Sequence, residues 1–345
     1  MVKAARAPRP NVEREQIANP MKLQIPEPLR LREEAICAAL RQAAETGGDT
    51  GEVAELLEAI LLPHLEKERA DVLQPLGLLQ RLAREEITPE MAEVLPQIDQ
   101  LKEDLHSLQV EHATILSAIK RFVAAAREEG KGQHARFAER LLFRAWLDES
   151  VFTPLVILIG NYLRSCLTNK RVASAGVRLP FPEPVELRIP EPLQINHAQL
   201  GAALAEAMRA GGQTKIAAEA LAQLLEPHLQ KEDKEVLLIL GWLEPLAEDI
   251  DLSEAGDVSE WNALEMNERS LHTEHAVLIG AAEKLRTVAR AEGADEVLDF
   301  AERLLMRIRL DEEIFYPAAL LIRSYLKGRR QSYPSADIAS IEGKL

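Results

Sequence analysis

Cysteine and aromatic residues are scarce in this chain, and long apolar runs are missing. The only cysteines, Cys37 and Cys166, are too few for a disulfide framework or a cysteine-based zinc finger. An apolar run such as Leu155–Gly160 is far shorter than the roughly 18 residues of a membrane span. The N-terminal residues include no apolar segment of the secretory type. We therefore expect a protein without membrane association, in the reducing environment of the cytoplasm.

The charge balance and the missing motifs exclude further classes. The chain has 345 residues, 41 of them basic and 56 acidic, and a net charge of -15 argues against nucleic-acid binding, which requires neutralisation of phosphates. No phosphate-binding glycine motif and no hydrolase nucleophile motif occurs. An enzymatic function therefore stays open, and a binding or sensing role is favoured. With aromatics at only 4%, the prevalence of leucine, alanine, glutamate and arginine predicts helices.

The chain contains an internal duplication. When residues 26–73 are aligned with 190–237, 22 of 48 positions are identical, and 16 of 27 are identical between 137–163 and 300–326. The offset of about 164 residues is the size of a domain, so it predicts two tandem domains and not a solenoid. The predicted organisation is a flexible leader (1–24), a first bundle (25–168), a proline-rich linker (169–189), a second bundle (190–328) and a tail (329–345).

Each half shows four helical segments separated by glycine, proline or polar breakers. Apolar residues recur at helical spacing, and no segment alternates as a strand does. Four helices with short connections predict an all-α protein made of two tandem up-down four-helix bundles. The predicted segments are 28–45, 50–80, 90–129 and 133–167, followed by 192–210, 214–247, 258–292 and 295–327.

Of the eight histidines, two pairs match between the halves, His64 with His228 and His112 with His275. His64 and Glu68 are four residues apart, as are His228 and Glu232, and this spacing places both side chains on one helix face. Ligands on facing helices are how helical bundles hold metal ions, and imidazole with carboxylate suits iron, manganese or zinc. The other candidate ligands on the remaining helices are His112, His275, His197, Glu33, Asp148, Glu149, Asp311 and Glu312.

These motifs resemble the hemerythrin-like HHE cation-binding domain, duplicated in tandem. The resemblance rests on Pro-His-Leu-x-Lys-Glu at 63–68 and 227–232, on Glu-His at 111–112 and 274–275, and on the Asp-Glu segments that lead to Pro154 and Pro317. It implies a four-helix bundle with a carboxylate-bridged non-haem di-iron centre. It further implies binding or sensing of iron, oxygen or nitric oxide, and one or two irons per chain.

Two positions depart from the family pattern. The family expects a histidine where Arg144 and Arg307 precede the helix-four acids, and a guanidinium has no lone pair to offer a metal. Each arginine either pairs with the site carboxylates in place of one metal, or points outward and leaves a single metal. In the first helix His197 is retained, whereas Glu33 replaces it in the first half. His272, three residues before His275, is a further candidate for lining the site.

Two functional hypotheses follow. The first is a hemerythrin-like non-haem metal protein with reduced sites, which binds or senses iron, oxygen or nitric oxide. The second is a metal-free pseudo-hemerythrin that acts as a structural or signalling interaction module. The retained His197, His228, Glu232 and His275 favour metal binding in the second half, whereas the arginines favour the metal-free hypothesis in the first.

Overall fold

The computed structural model describes residues 23–167, 187–248 and 262–332. Every regular element in these ranges is a helix, which confirms the all-α class. Most of the predicted leader, linker and tail lies outside the described residues. The last helix, predicted to end at residue 327, continues to Ser332, because nothing in Arg329-Arg330-Gln331 breaks a helix. None of the described helices is both long enough and apolar enough to cross a membrane.

The described α-helices follow the same order in the two halves. The first contains α1 (Glu27–Ala44), α2 (Gly48–Glu68), α3 (Gln74–Leu76), α4 (Leu79–Ala83), a 3-10 helix (Pro89–Val94), α5 (Leu95–Glu128), α6 (Gly132–Leu147) and α7 (Thr153–Leu167). The second contains α8 (Glu191–Ala207), α9 (Gly212–Glu232), α10 (Leu238–Leu240), α11 (Leu243–Ala247), α12 (Asn262–Glu292), α13 (Asp295–Leu310) and α14 (Tyr316–Ser332).

Four π-helical turns interrupt segments that the sequence predicted as continuous helices. They lie at Arg69–Leu73, Asp148–Phe152, Asp233–Leu237 and Asp311–Phe315. A π-turn inserts one residue into the helical repeat, so it rotates the helix that follows it and re-aims side chains. Each turn directly follows or contains a candidate site carboxylate, and such turns are frequent at functional sites.

Helices of each half pack on one another in sequence. In the first half α1 packs on α2, α2 on α5, and α5 on α6; in the second half α8 packs on α9, α9 on α12, and α12 on α13. In each half a glutamate at the end of the long helix, α5 or α12, caps the start of the helix packed against it, α2 or α9. Glu129 accepts hydrogen bonds from the backbone of Asp49 and Thr50, and Glu292 from that of Gln213 and Thr214. These contacts repeat at equivalent positions, as the duplication predicts.

The halves share a central apolar core, and each has a further core of its own. In the shared core α7 of the first half packs on α11 of the second, and α14 packs reciprocally on α4. Two equivalent aromatic pairs meet across the junction: Phe152 stacks on Phe315 with ring centroids 6.4 Å apart, and Tyr162 lies edge-on to Tyr325 at 6.3 Å. Pairing of equivalent residues indicates an approximate two-fold relation between the halves.

Close packing of the chain explains two equivalent glycines. A Cβ atom at Gly77 would collide with the backbone carbonyl of Gln24, and one at Gly241 with that of Arg188. The segment that leads into the first helix of each half thus crosses directly over these turns. A glycine at each of these two positions therefore has a structural reason.

Replacement of Phe152 by alanine tests the shared core. Its ring is fully buried against the other half, so we expect Phe152→Ala to lower the free energy of unfolding by about 3–5 kcal/mol. Urea unfolding followed by far-UV circular dichroism measures the loss, and Leu56→Ala, at a side chain 57% exposed, is the control. Because one core joins both halves, both should lose stability together; a transition in which one half keeps its wild-type midpoint would contradict this.

Candidate metal centres

The first-half site lies between the apolar core that belongs to that half alone and the apolar core that both halves share. His64 from α2 and His112 from α5 are buried, and their Nε2 atoms are 3.0 Å apart. Glu111 accepts a hydrogen bond from Nδ1 of His64 at 3.2 Å, which leaves the Nε2 lone pair of His64 directed into the site. Burial, followed by the neighbouring His64, lowers the pKa of His112, so this imidazole is neutral at physiological pH.

Arg144 occupies the centre of the same site. Its Nε lies 2.6 and 2.7 Å from the two oxygens of Asp148, and its Nη2 donates to Glu68 Oε1 at 2.8 Å. All three side chains are buried, and α6 with its following π-turn carries both Arg144 and Asp148. Of the two placements that the sequence left open, the arginine thus takes the inward one, and it pairs with both Glu68 and Asp148.

Burial and charge set the protonation of this cluster. Burial alone would lower the pKa of Arg144, but Asp148 and Glu68 outweigh it and raise that pKa above its ordinary value. Burial raises the pKa of Asp148 well above its usual range. Burial also opposes ionisation of Glu68, but Arg144 outweighs it and lowers the pKa of that carboxyl. Ionised Glu68 therefore balances the buried guanidinium charge.

A small cavity lies beside this cluster. It has a volume of about 20 Å³, enough for one water molecule or one ion, and its lining includes His64, Glu68, His112 and Arg144. Within the described part of the chain, Glu68 Oε2 is buried and has no hydrogen-bond partner. Two imidazole nitrogens and one unsatisfied carboxylate oxygen therefore meet at a cavity of ionic size.

Two predicted ligands of the first half lie elsewhere. Glu33 is buried but accepts three hydrogen bonds from Arg69, at 2.8, 3.1 and 3.2 Å. It is engaged because the π-turn that begins at Arg69 brings this guanidinium over α1. Glu149 is exposed, whereas Asp148 directly before it is buried. Glu149 therefore does not lie with the other candidate ligands of the first half.

The second half repeats the arginine cluster and adds His197. Arg307 pairs with Asp311 and with Glu232 Oε1, and its Nη2 donates to Nε2 of His197 at 3.1 Å. Glu232 Oε2 lies 3.2 Å from the same His197 nitrogen. Nδ1 of His197 is 2.8 Å from Asp233, although the pair is not aligned as a hydrogen bond. His197 thus belongs to the arginine cluster, and both oxygens of Glu232 have neighbours.

The histidine pair of the second half also differs from its counterpart. Nε2 of His275 lies 3.1 Å from Nε2 of His228, but the hydroxyl of Tyr316 lies 3.0 Å from the same His275 nitrogen. Thr153 stands at the equivalent position in the first half, where it lines a cavity of about 10 Å³. Burial, followed by His228, lowers the pKa of His275 to about 4. Glu274 and Glu312 lie at the Nδ1 atoms of His228 and His275.

Sequence reasoning missed the groups that hold the histidines in place. Glu111 and Glu274 contact Nδ1 of His64 and His228, and Lys67 and Lys231 hold these carboxylates in turn. The Glu-His dipeptides carry a signal for this arrangement, since the residue before a histidine on one helix can reach a histidine on the next. Carboxylates at the second nitrogen of a histidine orient metal ligands in proteins.

Comparisons with protein-family models, with curated proteins and with solved structures found no match to this chain.

Removal of the first-half cation tests the cluster. Arg144→Met leaves Glu68 and Asp148 buried without a partner, so we expect a loss of about 3–5 kcal/mol in unfolding free energy near pH 8. Without the guanidinium the pKa values of both carboxyls rise in the folded state. The native variant then retains protons that the unfolded chain has released, and the loss should shrink as the pH falls towards about 4, where unfolded carboxyls protonate.

Urea unfolding at several pH values between 5 and 8 measures this dependence. Arg127→Met, which removes an exposed partner of Glu139, is the matched control and should change little. A loss of stability in Arg144→Met that is the same at pH 5 and pH 8 would contradict the assigned charges.

Proposed function

We propose that this chain is a tandem protein of hemerythrin-like type, with one four-helix bundle in each half, and that its first half holds a single non-haem metal ion. Iron is the favoured metal. His64, His112 and Glu68 would hold it, and Arg144 stands where a second metal of the family would lie. The proposed role is binding or sensing of iron, oxygen or nitric oxide.

The observation that carries this proposal is the opposed pair of imidazole nitrogens. Two ligands about 2.1 Å from one metal and at right angles to each other are about 3.0 Å apart, and Nε2 of His64 and Nε2 of His112 have this separation. Two histidines and one carboxylate form the donor set of many non-haem iron(II) sites. The unsatisfied Glu68 Oε2 and the small cavity fit the same donor set.

Glu68 links the guanidinium to the proposed metal position. Its Oε1 accepts a hydrogen bond from Arg144, whereas its Oε2 is free of hydrogen bonds among the described residues. Such a carboxylate can bridge two positive groups, with the guanidinium at Oε1, in place of a metal, and the proposed metal ion at Oε2. When bound, iron supplies ligand exchange and one-electron redox chemistry, which sensing of oxygen or nitric oxide requires.

The second half is less suited to an inner metal. Tyr316 contacts the site-facing nitrogen of His275, and His197 contacts the second oxygen of Glu232. The sequence favoured this half because it retains His197, but that side chain is engaged with Arg307. These contacts favour the metal-free hypothesis for the second half, where the arginine cluster would serve a structural role.

Elemental analysis tests the proposal. Protein expressed in iron-supplemented medium should contain about one iron per chain, and His112→Gln should abolish it because this change removes one of the three donors. His134→Gln, at a partly exposed histidine outside the site, is the control and should retain the iron. An absorption spectrum of each sample reports the ferric charge-transfer bands.

A folded wild-type protein without metal after this treatment would contradict the iron proposal and favour an interaction module. Iron that survives His112→Gln unchanged would place the metal outside the proposed donor set. Far-UV circular dichroism of each variant shows whether the helices persist, so loss of metal can be separated from loss of fold.

A further inference from the structure

A second group of possible ligands lies on the outer side of His275, away from the histidine pair. His272 and His275 are three residues apart on α12, which places both rings on one helix face. Glu312 reaches this face from the π-turn Asp311–Phe315. His272, His275 and Glu312 each offer one ligand atom, and these atoms all lie within 4.8 Å of one another.

The distances suit one small cation. Glu312 Oε1 lies 3.2 Å from Nδ1 of His275 and 3.5 Å from Nδ1 of His272. Ligands about 2.1 Å from a shared metal are separated by about 3.0 to 3.4 Å at right or tetrahedral angles. The side chains of His272 and Glu312 are 42% and 33% exposed, so an ion from solvent can reach them and water can complete its coordination.

The hydrogen bonds available to Nε2 of His228 and Nε2 of His275, which face each other, give an independent reason for a cation at this ligand group. Nδ1–H of His228 donates to Glu274, so Nε2 of His228 is an acceptor. If His275 donates its Nδ1–H to Glu312 in the same way, its Nε2 is also an acceptor. Two lone pairs would then face each other across 3.1 Å, and the hydroxyl proton of Tyr316, whose oxygen lies 3.0 Å from Nε2 of His275, would satisfy one of them and leave the other without a donor.

A metal ion on Nδ1 of His275 removes this conflict. Coordination at Nδ1 places the ring proton on Nε2, which can then donate to the bare Nε2 of His228. The hydroxyl of Tyr316 can accept from the same N–H group. Nε2 of His228 and Nε2 of His275 then each have a compatible hydrogen-bond partner.

The backbone around Glu312 is anchored by the other half. Gln80 of α4 donates to the carbonyl of Glu312 at 2.8 Å, and Glu313 accepts a hydrogen bond from the backbone of Glu27 at 3.1 Å. The first half has no equivalent site, since Gln109 stands in place of His272 and Glu149 is exposed. The ligand group is therefore a feature of the second half alone.

We propose that His272, His275 and Glu312 form a solvent-accessible site for a divalent transition-metal ion of zinc type, distinct from the inner site of the first half. Two imidazoles and one carboxylate with an open position are a zinc donor set. The site uses Nδ1 of His275, so Nε2 of His275 can keep its contacts with His228 and Tyr316.

Titration with Zn²⁺ of the full-length protein, stripped of metal with EDTA, tests this site. We expect wild type to bind zinc, and His272→Gln, which installs the residue of the first half, to weaken that binding. The weakening should be at least the roughly 10- to 100-fold that loss of an outer partner causes at metal sites. Isothermal titration calorimetry measures the affinity, and imidazole ¹⁵N chemical shifts identify Nδ1 of His275 as the ligated nitrogen.

His106→Gln removes another exposed histidine and should leave zinc binding unchanged. The ¹⁵N shift of His275 Nδ1 reports the outer site alone, whereas the iron content reports the inner site, so failure of the inner site and failure of the outer site give different results. Unchanged zinc affinity in His272→Gln, ligation of His275 through Nε2, or the absence of zinc binding in wild type would each overturn the proposal.

Discussion

The rest of each site depends on a buried guanidinium held between two carboxylates. Such an ion group is costly to bury, and it is tolerated only where every charge has a close partner. Arg144 meets this condition through Glu68 and Asp148, and Arg307 through Glu232 and Asp311. The π-turns bring the second carboxylate of each cluster inward. An arginine in this position fixes a positive charge where a metal-binding bundle would need a cation, and it does so without any supply of metal.

The same cluster has developed differently in the two halves. In the first, Glu68 keeps one unsatisfied oxygen and the histidine pair opens onto a cavity of ionic size. In the second, His197 and Tyr316 occupy the corresponding space by contacting the arginine and the histidine pair. His272 and Glu312 form the exposed ligand group, which lies on the outer side of the His275 ring. Under the two proposals, duplication leaves one scaffold with an inner donor set in one half and an outer donor set in the other.

The sequence predicts much of the fold, because helical periodicity and the repeat are local signals that packing preserves. It also predicts that the histidines and carboxylates of each half lie together, and it offers pairing with these carboxylates as one of two placements of each arginine. It could not predict the π-turns, since one inserted residue leaves no compositional mark. Nor could it distinguish the Asp-Glu pairs at 148–149 and 311–312, which look alike although Glu149 is exposed and Glu312 contacts histidines. The engagement of Glu33 by Arg69 likewise depends on a helix rotation that only the assembled structure shows.

Crystals of the iron-loaded protein, measured at the iron absorption edge, distinguish a di-iron centre from an arrangement in which a guanidinium takes the place of one metal beside a single remaining metal position. For the latter arrangement we expect one anomalous peak in the first half, next to Nε2 of His64 and of His112, with the Arg144 guanidinium between Glu68 and Asp148 and no peak there. Two peaks in the first half, with Arg144 displaced towards solvent, would contradict it, as would iron-free crystals with the histidine pair intact.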